Sequence, residues 1–360
     1  MHFGEALDDE RFLALIRPGE GVDTVLTADT YGQGEADQLL GRALAGVDRG
    51  SFSLVGAIGH DFYEGERQGA KGFPRFTDPV LRGPSEYAGY LRMAAERSLD
   101  RIGADAFDLL LLHNPDRTGY TSDAVWDGMA ALRDAGLTRL IGVAPGPANG
   151  FTLDVIDCLE RFGDRIDWAM VILNPLEPWP GELVLPACER HAVKVITRVV
   201  DYGGLFHGDP IGLGARDHRA FRPEGWIEAG QEKIARMRPI AERHGLTTLQ
   251  LACAWNLGHA AVQTVVPTLI QEAGGRPVEE QRAELASLTA VPLSEAEVAE
   301  IRAIGDNTGS MALKGAAPDH EGEPQPDRWA LTPELAEVGA RYGISDGALR
   351  QQVATRLNGR

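Results

Sequence analysis

Short, continuous apolar runs alternate with amphipathic stretches along this chain. "DTVLTAD" (23–29) predicts a strand and "GEADQLLGRALAGV" (34–47) a helix. The same pairing recurs: "FSLVGAIG" then "SEYAGYLRMAAERSLDRIG", "FDLLLLHNP" then "SDAVWDGMAALRDAGL", and "TRLIGVAP" then "FTLDVIDCLERFG". It continues with "DWAMVILNP" then "GELVLPACERHA", and "VKVITRVVD" before two helices, "EKIARMRPIAERHG" and "TLQLACAWNLGH". "VQTVVPTL" (262–269) is the last strand. Runs that are apolar throughout, rather than alternating, fit strands buried on both faces of a helix-covered parallel sheet. Seven of them, mostly alternating with helices, predict an α/β chain folded as a (β/α)8 TIM barrel. An open doubly wound sheet is the rival, but no GxGxxG follows any strand. The eighth strand falls to the extreme N-terminus, "MHFGE", and is expected to be short.

Two loops are long, "HDFYEGERQGAKGFPRFTDPVLRGP" and "DYGGLFHGDPIGLGARDHRAFRPEG". Both follow the C-terminal ends of strands, where barrel enzymes place their sites. After Asp306 the pattern changes to Gly, Pro and charge. This sets a barrel over residues 1–305 and, over 306–360, an extended linker with a helical tail packed on the barrel. The spacing around Gly343, Ile344 and Ser345 resembles a helix-turn-helix, but "PIAERHGLTTLQLACAWNL" has a similar pattern. Helix, glycine C-cap, polar N-cap and helix account for both.

Composition narrows the partners. The 360 residues carry a net charge of −18, with 43% hydrophobic residues. Such a chain repels phosphate backbones, which argues against nucleic acid. No apolar run approaches the roughly 20 residues of a membrane helix, and the N-terminus lacks a secretory pattern. Cys158, Cys188 and Cys253 are far apart in apolar helical contexts, which predicts packed free thiols in a cytoplasmic protein. His207, Asp209 and His218 share a loop, but their spacing is weak support for a metal, and none is expected. A small-molecule substrate remains; the oligomeric state is open.

Several stretches together resemble the aldo-keto reductases. "TADTYGQGEADQLLGRAL" is similar to that family's signature after an early strand, and "FDLLLLHNPD" to one ending in a catalytic histidine. "LTRLIGVAP", "NPLEPWPGELVLPACERHAVKVITRVVDYGGLF" and "LTTLQLACAWNL" continue the likeness to about residue 305. The resemblance implies hydride transfer from NAD(P)H to a carbonyl. A tyrosine protonates the oxygen, a lysine and an aspartate tune that tyrosine, and a histidine orients the substrate. Tuning matters because a phenol near pKa ~10 is a poor acid–base at neutral pH.

By this resemblance Tyr31 is the tyrosine and His113 the histidine. The aspartate falls on Leu26 and the lysine at or beside Ile58, so half the set is replaced. Asp29 lies three residues along from Leu26, on the other face of a strand. His60, Asp61 or Lys71 is expected to supply the missing cation or its partner, with His60 in the catalytic set. The carboxamide-binding Ser-Asn falls on Ala144 and Pro145, the glutamine on Met170, and the nicotinamide-stacking aromatic on Arg198. After the last strand the family often has a basic phosphate-binding segment. Here Thr268, Gln271 and Glu272 stand, with Arg276 the nearby cation, so a 2′-phosphate finds little complementary charge. Arg198, Thr268, Gln271 and Arg276 are the remaining candidates for cofactor contact.

Polar residues nonetheless gather at strand ends. Asp29, Asp61, Asn114, Asn174, Glu177, Trp179, Arg198, Asp201 and Tyr202 are expected substrate contacts. A local ion pair accounts for Arg198 and Asp201 equally well, and packing for Trp179. His113, at the end of an apolar strand, needs polar partners and is expected in the site. Two functions follow. The first is an aldo-keto-reductase-like, NAD(P)-linked carbonyl or alcohol oxidoreductase acting on a polar, sugar-like substrate. The alternative is a lyase, isomerase or hydrolase using Tyr31 and His113 without a nicotinamide cofactor.

Overall fold

The computed structural model describes residues 4–19, 21–69, 72–146, 150–214, 217–288, 293–310, 314–318 and 320–344. They form two compact units. One comprises 1–22, 172–179 and 196–308; the other comprises 23–171, 180–195 and 309–360. Elements are numbered along the chain.

The second unit holds a parallel sheet in chain order. β1 (Thr24–Leu26) pairs with β2 (Ser53–Ile58), β2 with β3 (Phe107–His113), β3 with β4 (Thr138–Ala144), and β4 with β5 (Trp168–Ile172). The register sets Ile58 beside Leu112 and His113 beside Ala144. Leu110, Leu111 and Leu112 are fully buried, so the all-apolar run reports a strand covered on both faces. Each such leucine contributes roughly 1.5–3 kcal/mol. α2 (Glu35–Leu44), α3 (Tyr87–Ile102), α5 (Asp123–Asp134) and α6 (Thr152–Phe162) follow successive strands. α3 buries Tyr87, Tyr90, Leu91, Ala94, Ala95, Ser98, Leu99 and Ile102, the spacing of one helical face. α4 (Arg117–Thr121) and α7 (Leu185–Arg190) are short.

The tail is more ordered than its composition predicts. β8 (Gly315–Ala317) and β9 (Arg328–Ala330) pair in parallel, and α12 (Pro333–Arg341) follows behind the N-cap Thr332. Asp154 of α6 accepts hydrogen bonds from the Ala316 N–H at 3.1 Å and the Trp329 indole N–H at 2.8 Å. The second tail helix expected from the sequence lies outside the described residues.

The first unit contains α1 (Asp9–Ile16), α8 (Trp226–Arg243), α9 (Thr248–Leu257), β7 (Val262–Val266), α10 (Val278–Ala286) and α11 (Glu295–Gly305). It also takes the end of β6 (Lys194–Arg198), where the Leu173 N–H meets the Arg198 carbonyl at 3.4 Å. α9 and α11 each begin with a capping box, Thr247 with Gln250 and Ser294 with Glu297. The expected N-terminal strand is corrected where it is described. Gly4 and Glu5 form a bend, and the Glu5 N–H donates to the Gln271 carbonyl at 2.7 Å; residues 1–3 lie outside the described set.

Candidate active site

Tyr31 sits where β1 gives way to a tight turn. The Tyr31 N–H bonds the Ala28 carbonyl at 3.0 Å, and Gly32, Gln33 and Gly34 all have positive φ before α2 starts. At Gly34 (φ 94°) a Cβ would lie 2.6 Å from the Arg101 side chain, so only glycine fits. The turn leaves Tyr31 53% exposed. The end of β3 brings His113 edge-on to the phenol, ring centroids 5.7 Å apart. The His60 ring stands 5.1 Å from His113 on centroids. Gly59 makes room for this approach, since a Cβ there would lie 2.6 Å from the His113 carbonyl oxygen.

His60 is not the missing cation. Its Nδ1 lies 3.0 Å from the Phe73 carbonyl and its Nε2 3.0 Å from the Asn114 amide Nδ2. A carbonyl only accepts and an amide NH2 only donates, which assigns the proton to Nδ1 and leaves the ring neutral. Burial, reinforced by the Arg75 charge, lowers its pKa to about 4. Asn114 has a left-handed backbone (φ 48°), and its carbonyl accepts from Arg75 Nε. Arg75 also holds Asp327 of the tail at 2.9 Å. Sequence reasoning missed Arg75, because its partner lies far along the chain and nothing in "PRFTDP" marks it.

Other expected members are placed elsewhere. Ile58, at the lysine position, is fully buried among apolar neighbours. Asp29, an expected substrate contact, is also fully buried. Its carboxylate oxygens have no hydrogen-bond partner among the described residues. Burial, with Asp37 nearby, raises its pKa well above the ordinary carboxylate range. Asp61, an expected substrate contact, is ion-paired with Arg82 and accepts the N–H groups of Tyr63 and Glu64 at 3.0 and 2.9 Å. Lys71 lies outside the described residues.

The first unit carries a second polar group around the end of β6. Val199 and Tyr202 both have left-handed φ, 60° and 51°. For a β-branched valine this is a strained conformation of the kind held at functional turns. Arg222, also missed by the sequence, lies over the Tyr202 ring at 4.2 Å and 3.8 Å from Glu177. Burial raises the pKa of both Glu177 and Tyr202. Arg198 is half-buried at the strand end.

Three neighbours among the expected contacts are held by partners within the chain. Asn174 accepts from the Leu176 and Glu177 N–H groups at 2.9 and 2.8 Å and donates to the Val199 carbonyl at 3.1 Å. Asp201 accepts from the Gly204 and Thr268 N–H groups at 2.8 and 2.7 Å. Trp179 is 4% exposed, and its backbone is clamped by the Asn307 amide.

The cofactor candidates after β7 have partners within the chain. The Thr268 carbonyl accepts from His207 Nε2 at 2.8 Å. Gln271 accepts from Arg11 and from the Val278 N–H. Arg276 pairs with Asp209 at 3.2 Å and Glu284 at 2.6 Å. Asp209 thereby leaves the loop's metal reading, and among the described residues no three His, Cys, Asp or Glu side chains could hold a metal ion.

A family model described as "Aldo/keto reductase family" matches residues 18–306. The chain belongs to the aldo/keto reductase family. Within it, the chain is similar to the D-threo-aldose 1-dehydrogenase of Pseudomonas sp, 26% identical over 314 residues, covering 83% of this chain and 90% of that protein. Among solved structures it is similar to the glycerol dehydrogenase of Gluconobacter oxydans (TM-score 0.63, 21% identity, 82% and 84% of the two chains covered). It is also similar to an aldo/keto reductase of Klebsiella pneumoniae in complex with NADP and acetate (TM-score 0.57, 21% identity, 82% and 85% covered). These likenesses establish the fold as the (β/α)8 barrel of the aldo/keto reductases. Members of the family are oxidoreductases. In the segment after β7 here, Arg276 is paired with two carboxylates of the same chain, Asp209 and Glu284. No helix of the described residues is long and apolar enough to cross a membrane.

Proposed function

We propose that this chain acts on a small, polar carbonyl or alcohol compound, sugar-like in its hydroxylation, and that Tyr31 and His113 handle its oxygen. The observation that carries this is the exposed Tyr31 phenol standing edge-on to His113 at 5.7 Å. A phenol hydroxyl can donate to a carbonyl oxygen or accept from a hydroxyl, and the imidazole fixes the orientation of the same atom. Oxidoreduction is the class that family membership supports, and relatives named for aldose and glycerol dehydrogenation support the polar substrate. A nicotinamide cofactor would supply hydride; the steps assigned to this chain's residues are binding and proton exchange at the substrate oxygen.

The test follows nicotinamide absorbance while purified protein is offered aldoses, glyceraldehyde and glycerol with NAD(H) and NADP(H). Tyr31→Phe should lower kcat by about a hundredfold or more and leave Tm unchanged, because the ring is half in water. His113→Ala should also lower turnover. Full turnover by Tyr31→Phe would remove the phenol from the reaction.

A second reading rests on Leu26, Ile58 and the neutral His60, which leave the phenol without its usual tuning. It is proton transfer without redox, as in an isomerase or lyase. Exchange of substrate carbon-bound hydrogen in D2O without cofactor, followed by NMR, would favour it.

A further inference from the structure

We propose that this chain discriminates against a 2′-phosphorylated dinucleotide, through its own carboxylates, which already occupy the guanidinium groups of Arg276 and Arg219. The inference rests on the oxidoreductase reading and adds which cofactor form that reaction takes.

The segment from Thr268 to Glu284 carries four carboxylates (Glu272, Glu279, Glu280, Glu284) against two arginines (Arg276, Arg282). A phosphate monoester adds about −1.5 to −2 charges at pH 7. It therefore enters an acidic segment and needs a guanidinium whose charge is not already balanced. Arg276 has one donor on each nitrogen engaged, and two carboxylates stand against its charge. Nε donates to Asp209 at 3.2 Å, Nη1 pairs with Glu284 at 2.6 Å, and Nη2 donates to the His207 carbonyl at 3.1 Å.

Arg219, from the loop after β6, is 1% exposed and has no donor left. Its Nε and one Nη2 donor go to Asp217, at 2.9 and 2.7 Å, and its second Nη2 donor to Glu272 at 3.2 Å. Its Nη1 donors go to Glu272 and to the Gly203 carbonyl. Five N–H donors meet five acceptors, the full capacity of a guanidinium. Glu272 is 3% exposed and accepts from the Gly212 N–H as well. An incoming phosphate must displace a carboxylate from a buried, saturated pair, and the displaced carboxylate loses its partner. A ribose 2′-hydroxyl brings no charge and needs no such exchange, and carboxylates near it are favourable acceptors.

The experiment is a fluorescence titration of the whole protein with NADH and, separately, NADPH. NADH should bind at least about tenfold more tightly than NADPH. Glu284→Gln and Asp209→Asn each free part of Arg276, from opposite sides. Each should tighten NADPH several-fold and leave NADH within about twofold. Two variants are used because Glu284 is mostly buried whereas Asp209 lies on a loop, and the Tm of each is checked. NADPH binding as tightly as NADH would overturn the inference and leave the oxidoreductase reading standing. Binding of neither at millimolar concentration would overturn that reading and the inference with it. NADH preference unmoved in both folded variants would overturn the assignment to these carboxylates.

Discussion

The imidazole of His60 has both nitrogens engaged, by the Phe73 carbonyl and the Asn114 amide, and its pKa is lowered from 6.5 to about 4 by burial and Arg75. A lowered histidine pKa means the unfolded chain binds the proton first. Its stabilising effect is therefore complete above pH ~6.5 and is lost as pH falls towards 4. A displacement of that size corresponds to about 3 kcal/mol. Urea unfolding between pH 7.5 and 4.5 should show this loss, and His60→Gln should flatten it. An equal slope in the variant would mean that another group carries the effect. Asp29 has the opposite character, a fully buried carboxylate whose pKa burial raises. Tyr31 and His113 are recognisable in the sequence because a motif surrounds each. The roles of Asp61, Asp201 and Asn174 are not, because a polar residue at a strand end reads the same whether it faces a substrate or caps its own loop. Only the partners decide: Arg82 for Asp61, the Thr268 N–H for Asp201, and the N–H groups of the following turn for Asn174.

Strands were easier to anticipate than helices, for a physical reason. β1 to β7 announce themselves as apolar runs because both faces are covered, and all seven occur near their expected places. The sequence pattern predicts none of α1, α10 and α11; α1 has no fully buried residue, α10 buries only Val278 and Gln281, and α11 only Ile301 and Gly305. Without an apolar stripe there is little periodicity to find. The ordering of the tail is equally hidden, since its partners lie far along the chain, among them Arg75 and one buried carboxylate in α6. Asp154 accepts from both the Ala316 N–H and the Trp329 indole, and burial pushes its pKa up to about 7. Trp329→Phe keeps most of the ring and removes one donor, leaving a buried acceptor short of a partner. It should cost about 1–3 kcal/mol and speed proteolysis between β8 and β9, seen by gel and mass spectrometry. Unchanged Tm and cleavage rate would show that the ring's packing against Tyr120 and Phe151, and not its N–H, is what Trp329 contributes to holding the tail.

At the level of the whole molecule the dominant quantity is charge. Lys and Arg total 35 against 53 Asp and Glu, giving a net −18. Part of the acidic charge is neutralised locally, as at Asp37 by Arg101 and Glu160 by Arg190 and Arg341. The rest repels itself across the surface, which favours solubility and opposes the compact state. Salt acts on these contributions in opposite directions. It weakens exposed ion pairs such as Arg92–Glu96, each worth about 0–1 kcal/mol. It also screens the long-range repulsion, cutting the Debye length from ~30 Å at 0.01 M to ~3 Å at 1 M. Buried pairs such as Arg82–Asp61 and Arg219–Asp217 are little affected, because solvent ions do not reach them. With eighteen unbalanced charges the repulsive part is the larger, so Tm at pH 7 should rise with NaCl from 0.01 to 0.5 M. The rise should shrink as pH approaches the pI of about 4.9, where the imbalance vanishes. A Tm that falls with salt at pH 7 would mean that surface ion pairs, rather than net repulsion, set the stability of this chain.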